Sequence, residues 1–213
     1  VAQYAIQMIL QLGGKPVSAS DSNGFIYDEA GFDEGKLAFL MELKNVRRAR
    51  IKEYADKYPS AVYTAFDPSA DHSPQWDIKA DCAFPCATQN EINAVDAQNL
   101  LRNGVFCVAE GANMPTTLDG VNAFLDAGIL YAPGKAANAG GVATSGLEMS
   151  QNSMRIRWPR EEVDSRLHEI MRSIHQACMQ AAETYGTPGN YVNGANIAGF
   201  LKVADAMMDQ GVV

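Results

Sequence analysis

The chain has 213 residues, 47% hydrophobic and 20% charged, with 17 basic against 25 acidic side chains and a formal charge of −8. That apolar content is enough for a sizeable core and excludes a disordered chain. The acidic balance argues against a nucleic-acid backbone or an anionic membrane surface as partner. No apolar run approaches the roughly 20 residues of a membrane span, and no basic-then-apolar leader opens the sequence, so a cytoplasmic protein is expected.

The chain opens inside an amphipathic helix. Apolar residues at positions 1, 5, 6, 9 and 10 keep helical spacing, no cap precedes them, and Gly13-Gly14 ends the run. A domain that begins in this way is expected to have lost what came before. A short strand at 15–20 follows, closed by the turn signal Asp21-Ser22-Asn23-Gly24. Residues 35–45 read as a helix, and a basic helix over 47–58 stops at Pro59. Residues 61–66 are a candidate strand and 67–76 a surface loop.

From residue 80 the alternation is regular: strand 81–84, helix 91–102, strand 105–109, helix 117–127, strand 129–132, helix 141–154. Short apolar strands alternating with helices predict an α/β fold with a mostly parallel sheet covered on both faces. Pro159 is expected at the first helical position of a helix running to about Tyr185, with Glu161 and Glu162 favoured by its dipole. A last helix covers 194–208. The resulting division is 1–158 as a nucleotide-binding domain and 159–213 as helices that cover it or lead onward.

In such folds ligands bind beyond the carboxyl ends of the strands. Four strands here end in small or polar loops, at Asp21-Ser22, at residues 86–90, at 110–113 and at 134–141. Two readings of Asp21 stand equally. One is the acidic residue that closes the second strand of a dinucleotide fold, about 20 residues after a glycine fingerprint. The other is a turn-capping Asp. Lys135 lies in no Walker-type loop, since Ala-Ala follows it. His72, His168 and His175 form no metal set. Cys82, Cys86, Cys107 and Cys178 read as small buried hydrophobes of a reducing compartment. No nucleophile elbow is present.

Five segments together resemble the hexameric, NADP-specific glutamate dehydrogenases. They are Ala-Ser-Asp-Ser-Asn-Gly (19–24), Pro-Cys-Ala-Thr-Gln-Asn-Glu (85–91), Ala-Glu-Gly-Ala-Asn-Met-Pro-Thr-Thr (109–117), the stretch 132–149 beginning Ala-Pro-Gly-Lys, and Asn-Tyr-Val-Asn-Gly-Ala-Asn-Ile-Ala-Gly-Phe (190–200). The resemblance implies a Rossmann-like doubly wound domain with a C-terminal helical tail, corresponding to the C-terminal half of the enzyme. The substrate domain, the first strand and the Gly-x-Gly-Asn fingerprint would then lie before Val1.

The same resemblance assigns roles. Ser22, Lys44 and Arg47, beside Asp21, would meet the 2′-phosphate of NADP. A hydroxyl and two cations suit a dianion. Ala87, Thr88 and Asn113 would lie beside the ribose and nicotinamide, with Asn138 near the nicotinamide end. Val142 and Ser145, three apart on one helix face, would line the pocket for the glutamate side chain. No catalytic residue and no metal ligand is expected in this chain, because the family's catalytic Lys and Asp belong to the other half. The implied reaction converts L-glutamate to 2-oxoglutarate and ammonium, reversibly, in a homohexamer when full length. A free-standing nucleotide-binding or regulatory module, and a sister amino-acid dehydrogenase acting on apolar substrates, are the competing readings. Ser145 argues against the latter, since a buried hydroxyl without a carboxylate partner costs roughly 1–3 kcal/mol.

Overall fold

The structure is a computed structural model and describes residues 1–211. It divides into two compact units, Val1–Leu130 and Tyr131–Val213. That division falls earlier than the boundary at 158, because α7 (Ala139–Met154) packs with the helices that follow it.

The first unit begins with α1 (Ala2–Gln11), whose apolar spacing buries Ile6, and which ends where Gly13 takes φ 82°. Next comes a hairpin of β1 (Ser18–Asp21) and β2 (Gly24–Asp28). Asp21 pairs with Gly24 across a two-residue turn, and β2 pairs in turn with β3 (Ala61–Ala65), antiparallel on both sides. This corrects the expectation of one mostly parallel sheet. The signal at 21–24 is the tight turn of a hairpin, so the Phe25-Ile26-Tyr27 run folds straight back on its predecessor.

Between β2 and β3 lie α2 (Glu34–Met41), a π-helical turn (Glu42–Val46) and α3 (Lys52–Lys57). Asp33 caps α2 by accepting the Lys36 N–H at 2.8 Å. The basic helix expected over 47–58 does not form as one piece. Arg48 adopts φ 53°, a left-handed conformation that breaks the helix, and only 52–57 remain α-helical. Ile6, Ile26, Leu37, Leu40, Leu43 and Tyr54 make the core between these elements.

The rest of the first unit is α/β in the expected sense. The loop after β3 carries a short 3-10 turn (Pro74–Asp77). The two-residue β4 (Cys82–Ala83) pairs parallel with β5 (Cys107–Ala109). Helices α4 (Ala94–Arg102) and α5 (Leu118–Ala127) pack on each other and bury Leu100 and Phe124. A capping box between Asn93 and Asp96 starts α4, and Gly128, at φ 68°, closes α5. The boundary between the units falls inside β6 (Leu130–Ala132), whose Leu130 N–H donates to Phe106 C=O at 2.9 Å.

The second unit is helical: α6 (Gly134–Ala137), α7, α8 (Arg160–Thr184) and α9 (Tyr191–Gln210). Pro159 sits at the N-cap of α8 rather than at its first helical position, with extended ψ 162°. Helices α8 and α9 approach closely through Cys178, Ala181, Ala182 and Gly194, all buried. A Cβ on Gly194 would lie 2.1 Å from the Cys178 carbonyl oxygen, so only glycine permits this crossing. Among the described residues no helix is long and apolar enough to cross a membrane.

Candidate functional site

The hairpin turn carries the first site. Asp21 Oδ2 accepts from Lys44 Nζ at 2.8 Å and from the Ile51 N–H at 2.9 Å, while Oδ1 accepts from the Asn23 N–H at 3.0 Å. Burial pushes the Asp21 carboxyl up, but the Lys44 bond and the two backbone donors outweigh it and hold it below the usual range. Asp21 therefore caps its own turn, as one of the two sequence readings had it, and it also binds Lys44 and the Ile51 N–H.

Lys44 reaches Asp21 because the π-helical turn widens the end of α2, burying Leu43 on one side and turning Lys44 back toward the hairpin. Its ammonium also donates to Ala49 C=O at 2.9 Å. The left-handed Arg48 then reverses the chain, which brings Ile51 onto Asp21 and Arg50 onto Ser22. Arg50 Nη1 donates to Ser22 Oγ at 2.7 Å.

The arginine at this cluster is thus Arg50. Arg47, the residue expected there, turns away and forms an ion pair with Glu53. Arg50 has no acidic partner within ion-pair distance among the described residues. A guanidinium and a hydroxyl, both exposed, beside a neutralised Lys–Asp pair make a site for a doubly charged oxyanion such as a phosphate. Read as one continuous helix, residues 47–58 place Arg50 merely one turn beyond Arg47. Nothing in the sequence pattern marks Arg48 as the break.

The second cluster lies at the ends of β4 and β5. Pro85 C=O accepts from the Gly111 and Ala112 N–H groups at 2.9 and 3.0 Å. The Asn90 N–H donates to Met114 C=O at 3.1 Å, and the Ile92 N–H to Pro115 C=O at 2.9 Å. These bonds lock the loop holding Ala87 and Thr88 to the loop holding Asn113, and all three residues are exposed. Asn90 and Met114 both take positive φ, 59° and 50°, where the two loops meet. Glu91 Oε1 accepts the Ala87 N–H at 2.9 Å. Burial raises the Glu91 carboxyl, partly offset by the Ala87 and Thr88 N–H groups and reinforced by Glu110.

The remaining residues belong to the helical unit. Asn138 stands at the junction of α6 and α7 and donates its N–H to Gly134 C=O at 2.9 Å. Val142 and Ser145 lie three apart on α7, both exposed, with Val142 at 73%. Lys135 donates to Asn196 of α9. Among the described residues no group of three or more His, Cys, Asp or Glu side chains is placed to hold a metal ion.

The family model for glutamate/leucine/phenylalanine/valine dehydrogenases matches residues 1–211. The chain is 60% identical over 216 residues to an NAD(P)-specific glutamate dehydrogenase of Xylanibacter ruminicola, covering all of this chain and 46% of that protein. It is 52% identical over 213 residues to the NADP-specific glutamate dehydrogenase of Escherichia coli, again with 100% and 46% coverage. Among solved structures, the glutamate dehydrogenase of Plasmodium falciparum superposes with a TM-score of 0.93 at 47% identity, over 100% of this chain and 44% of that one. The chain therefore spans about half the length of the relatives it matches. By the extent of these matches, the chain belongs to the glutamate/leucine/phenylalanine/valine dehydrogenase family.

Proposed function

We propose that this chain is the cofactor-binding part of an NADP-dependent glutamate dehydrogenase. The reaction is L-glutamate, water and NADP⁺ to 2-oxoglutarate, ammonium, NADPH and a proton, run in either direction. The observation that carries the cofactor assignment is the cluster at the hairpin turn. Arg50, free of any acidic partner among the described residues, donates to the Ser22 hydroxyl, beside Lys44 on Asp21. An adenosine ribose bearing a 2′-phosphate meets a cation and a hydroxyl there. One bearing a 2′-hydroxyl gains neither ion-paired bond.

The nicotinamide, when bound, takes up or gives the hydride. The chain's own residues bind and orient. Ser22, Lys44 and Arg50 hold the 2′-phosphate; Lys44 keeps Asp21 neutralised so that it does not repel the dianion. The locked loops at Ala87, Thr88 and Asn113 set the ribose and ring, with Asn138 toward the nicotinamide end. Ser145 donates its hydroxyl to the γ-carboxylate of glutamate, and Val142 walls the methylenes. The proton-transferring groups come from the remaining length of the enzyme, since this chain covers only 46% of its full-length relatives. On this reading residues 1–158 serve the nucleotide and 159–213 form a helical extension, a functional division distinct from the packing division after Leu130, in a cytoplasmic homohexamer.

The test is a chimaera in which this chain replaces the matching stretch of the Escherichia coli relative. It should reductively aminate 2-oxoglutarate with NADPH, and Arg50→Ala should raise the KM for NADPH about tenfold or more. One charge-assisted hydrogen bond is worth about 1.5–3 kcal/mol, and 1.4 kcal/mol is tenfold. The KM for NADH should hardly change. Equal losses with both cofactors would remove the assignment.

A further inference from the structure

We propose that Cys82 and Cys107 form a redox-active dithiol, a site of reversible oxidation to a disulfide across the parallel strands β4 and β5. The two residues are direct partners in the strand register, and Ala83 opposite Val108 is the next pair. Side chains alternate along a strand, so both thiols point to one face while Ala83 and Val108 are buried on the other. Both cysteines are half-buried and face each other as register partners.

Distance permits the bond. Adjacent strands run about 4.7–4.9 Å apart, inside the roughly 4.4–6.8 Å between Cα atoms that a disulfide spans. Parallel Cβ vectors start slightly too far apart, so β4 and β5 must draw together, and a bond made under that tension is more easily reduced than a structural one. The shortness of β4 makes such a shift small. The other two cysteines are placed differently. Cys86 Sγ lies against Gly111, where an added Cβ would come within 2.7 Å of it, and Cys178 is buried in the helical unit.

The oxidant class is a peroxide. One thiolate attacks a peroxide oxygen, the S–O bond forms, the O–O bond breaks, and the departing oxygen takes up a proton and leaves as water. The second thiolate attacks the resulting sulfenic sulfur; the S–S bond forms as the S–O bond breaks, and the departing hydroxide takes up a proton and leaves as a second water. Two thiols and one hydrogen peroxide thus give one disulfide and two waters, with two electrons passing from sulfur to oxygen. Burial and then the neighbouring Cys107 hold the Cys82 thiol above its usual range, with Asp81 adding to it. Little thiolate exists at neutral pH, so oxidation is slow there and accelerates as the medium becomes alkaline. The link would staple the roots of the loops at 86–91 and 110–113.

Intact-mass analysis of the chain treated with hydrogen peroxide, unfolded and capped with N-ethylmaleimide, tests this. The untreated chain should take one maleimide on each of its 4 cysteines. The treated chain should take two fewer, and dithiothreitol should restore them. Cys86→Ser should keep the peroxide-dependent loss of two, whereas Cys82→Ser and Cys107→Ser should each abolish it. Unchanged uptake after peroxide in the wild-type chain overturns the proposal. So does a link that survives Cys107→Ser, or conversion to sulfinic acid without a link.

Discussion

Replacing Lys36 by methionine should unfold the first unit more than any other single loss of a surface-reaching cation. Asp28 ends β2 with its side chain wholly buried. Its Oδ2 accepts from Lys36 Nζ at 2.7 Å and from the Tyr54 hydroxyl at 3.1 Å, and its Oδ1 accepts the Ala30 N–H at 3.2 Å. Lys36 also donates to Gly31 C=O at 2.8 Å. One carboxylate thus ties β2 to α2 and α3, the elements that position Asp21, Lys44 and Arg50. Unpairing a buried charge costs roughly 3–5 kcal/mol, and the surviving Tyr54 and Ala30 donors place Lys36→Met near the lower end, about 3 kcal/mol. At about 2–4 °C per kcal/mol for a chain of this size, the melting temperature falls by roughly 6–12 °C. Burial pushes the Asp28 carboxyl up, but Lys36, Ser60 and Tyr54 bring it below its ordinary value. A carboxyl lowered on folding stabilises above its unfolded pKa, and that stability is lost as pH falls through the folded value. The gap between wild type and variant should therefore be full at pH 7 and narrow below about pH 4. Urea titrations followed by circular dichroism at both pH values measure it. A loss under about 1 kcal/mol at pH 7, or a gap that does not shrink in acid, would refute the reasoning.

Asn93→Ala removes the capping box of α4 and the Asn93 bond to Asp71 C=O, and should cost about 1 kcal/mol in the same assay. Gly194→Ala forces a Cβ onto the Cys178 carbonyl and should lower the thermal midpoint of the helical unit, read from Trp158 fluorescence; an unchanged midpoint would mean that the helices separate at no cost. His72 lies between Asp71 and Asp77, at 2.8 and 3.2 Å, and these carboxylates raise its pKa above 6.5. Its contribution is complete below 6.5 and lost as pH rises through the folded value, so protection of the 71–77 amides, corrected for intrinsic exchange, should fall as pH rises above about 6.5. In the chimaera, Ser145→Ala should weaken glutamate far more than norvaline, and parallel losses would remove Ser145 from the substrate pocket.

Elements with local punctuation were legible in the sequence. The double glycine after α1, Gly128 after α5 and the acidic start of α8 each fix an end by a side chain or a backbone freedom written at that position. Legibility failed where a decision is tertiary. The Asp-Ser-Asn-Gly turn reads the same whether it ends a strand or folds a hairpin, and Phe25, Ile26 and Tyr27 become a strand only by pairing with β1 and β3. Arg48 carries no mark of its left-handed conformation, so nothing in the spacing indicates that Arg50 rather than Arg47 faces Ser22. Ser22 and Lys44 are singled out only by their resemblance to a family's residues in order. Their meeting at Asp21 depends on the π-helical turn, which no periodicity announces.

The 2′-phosphate subsite can be measured on this chain directly, by titrating 2′,5′-ADP and 5′-AMP separately into isotope-labelled protein and following amide shifts. The two nucleotides differ only in the group that Ser22, Lys44 and Arg50 are proposed to hold. The account predicts that 2′,5′-ADP binds about tenfold or more tightly than 5′-AMP, shifts the amides at 21–23 and 44–51, and loses that advantage in Arg50→Ala. Equal binding of the two nucleotides, or a 2′,5′-ADP footprint that leaves the hairpin turn untouched, would contradict it.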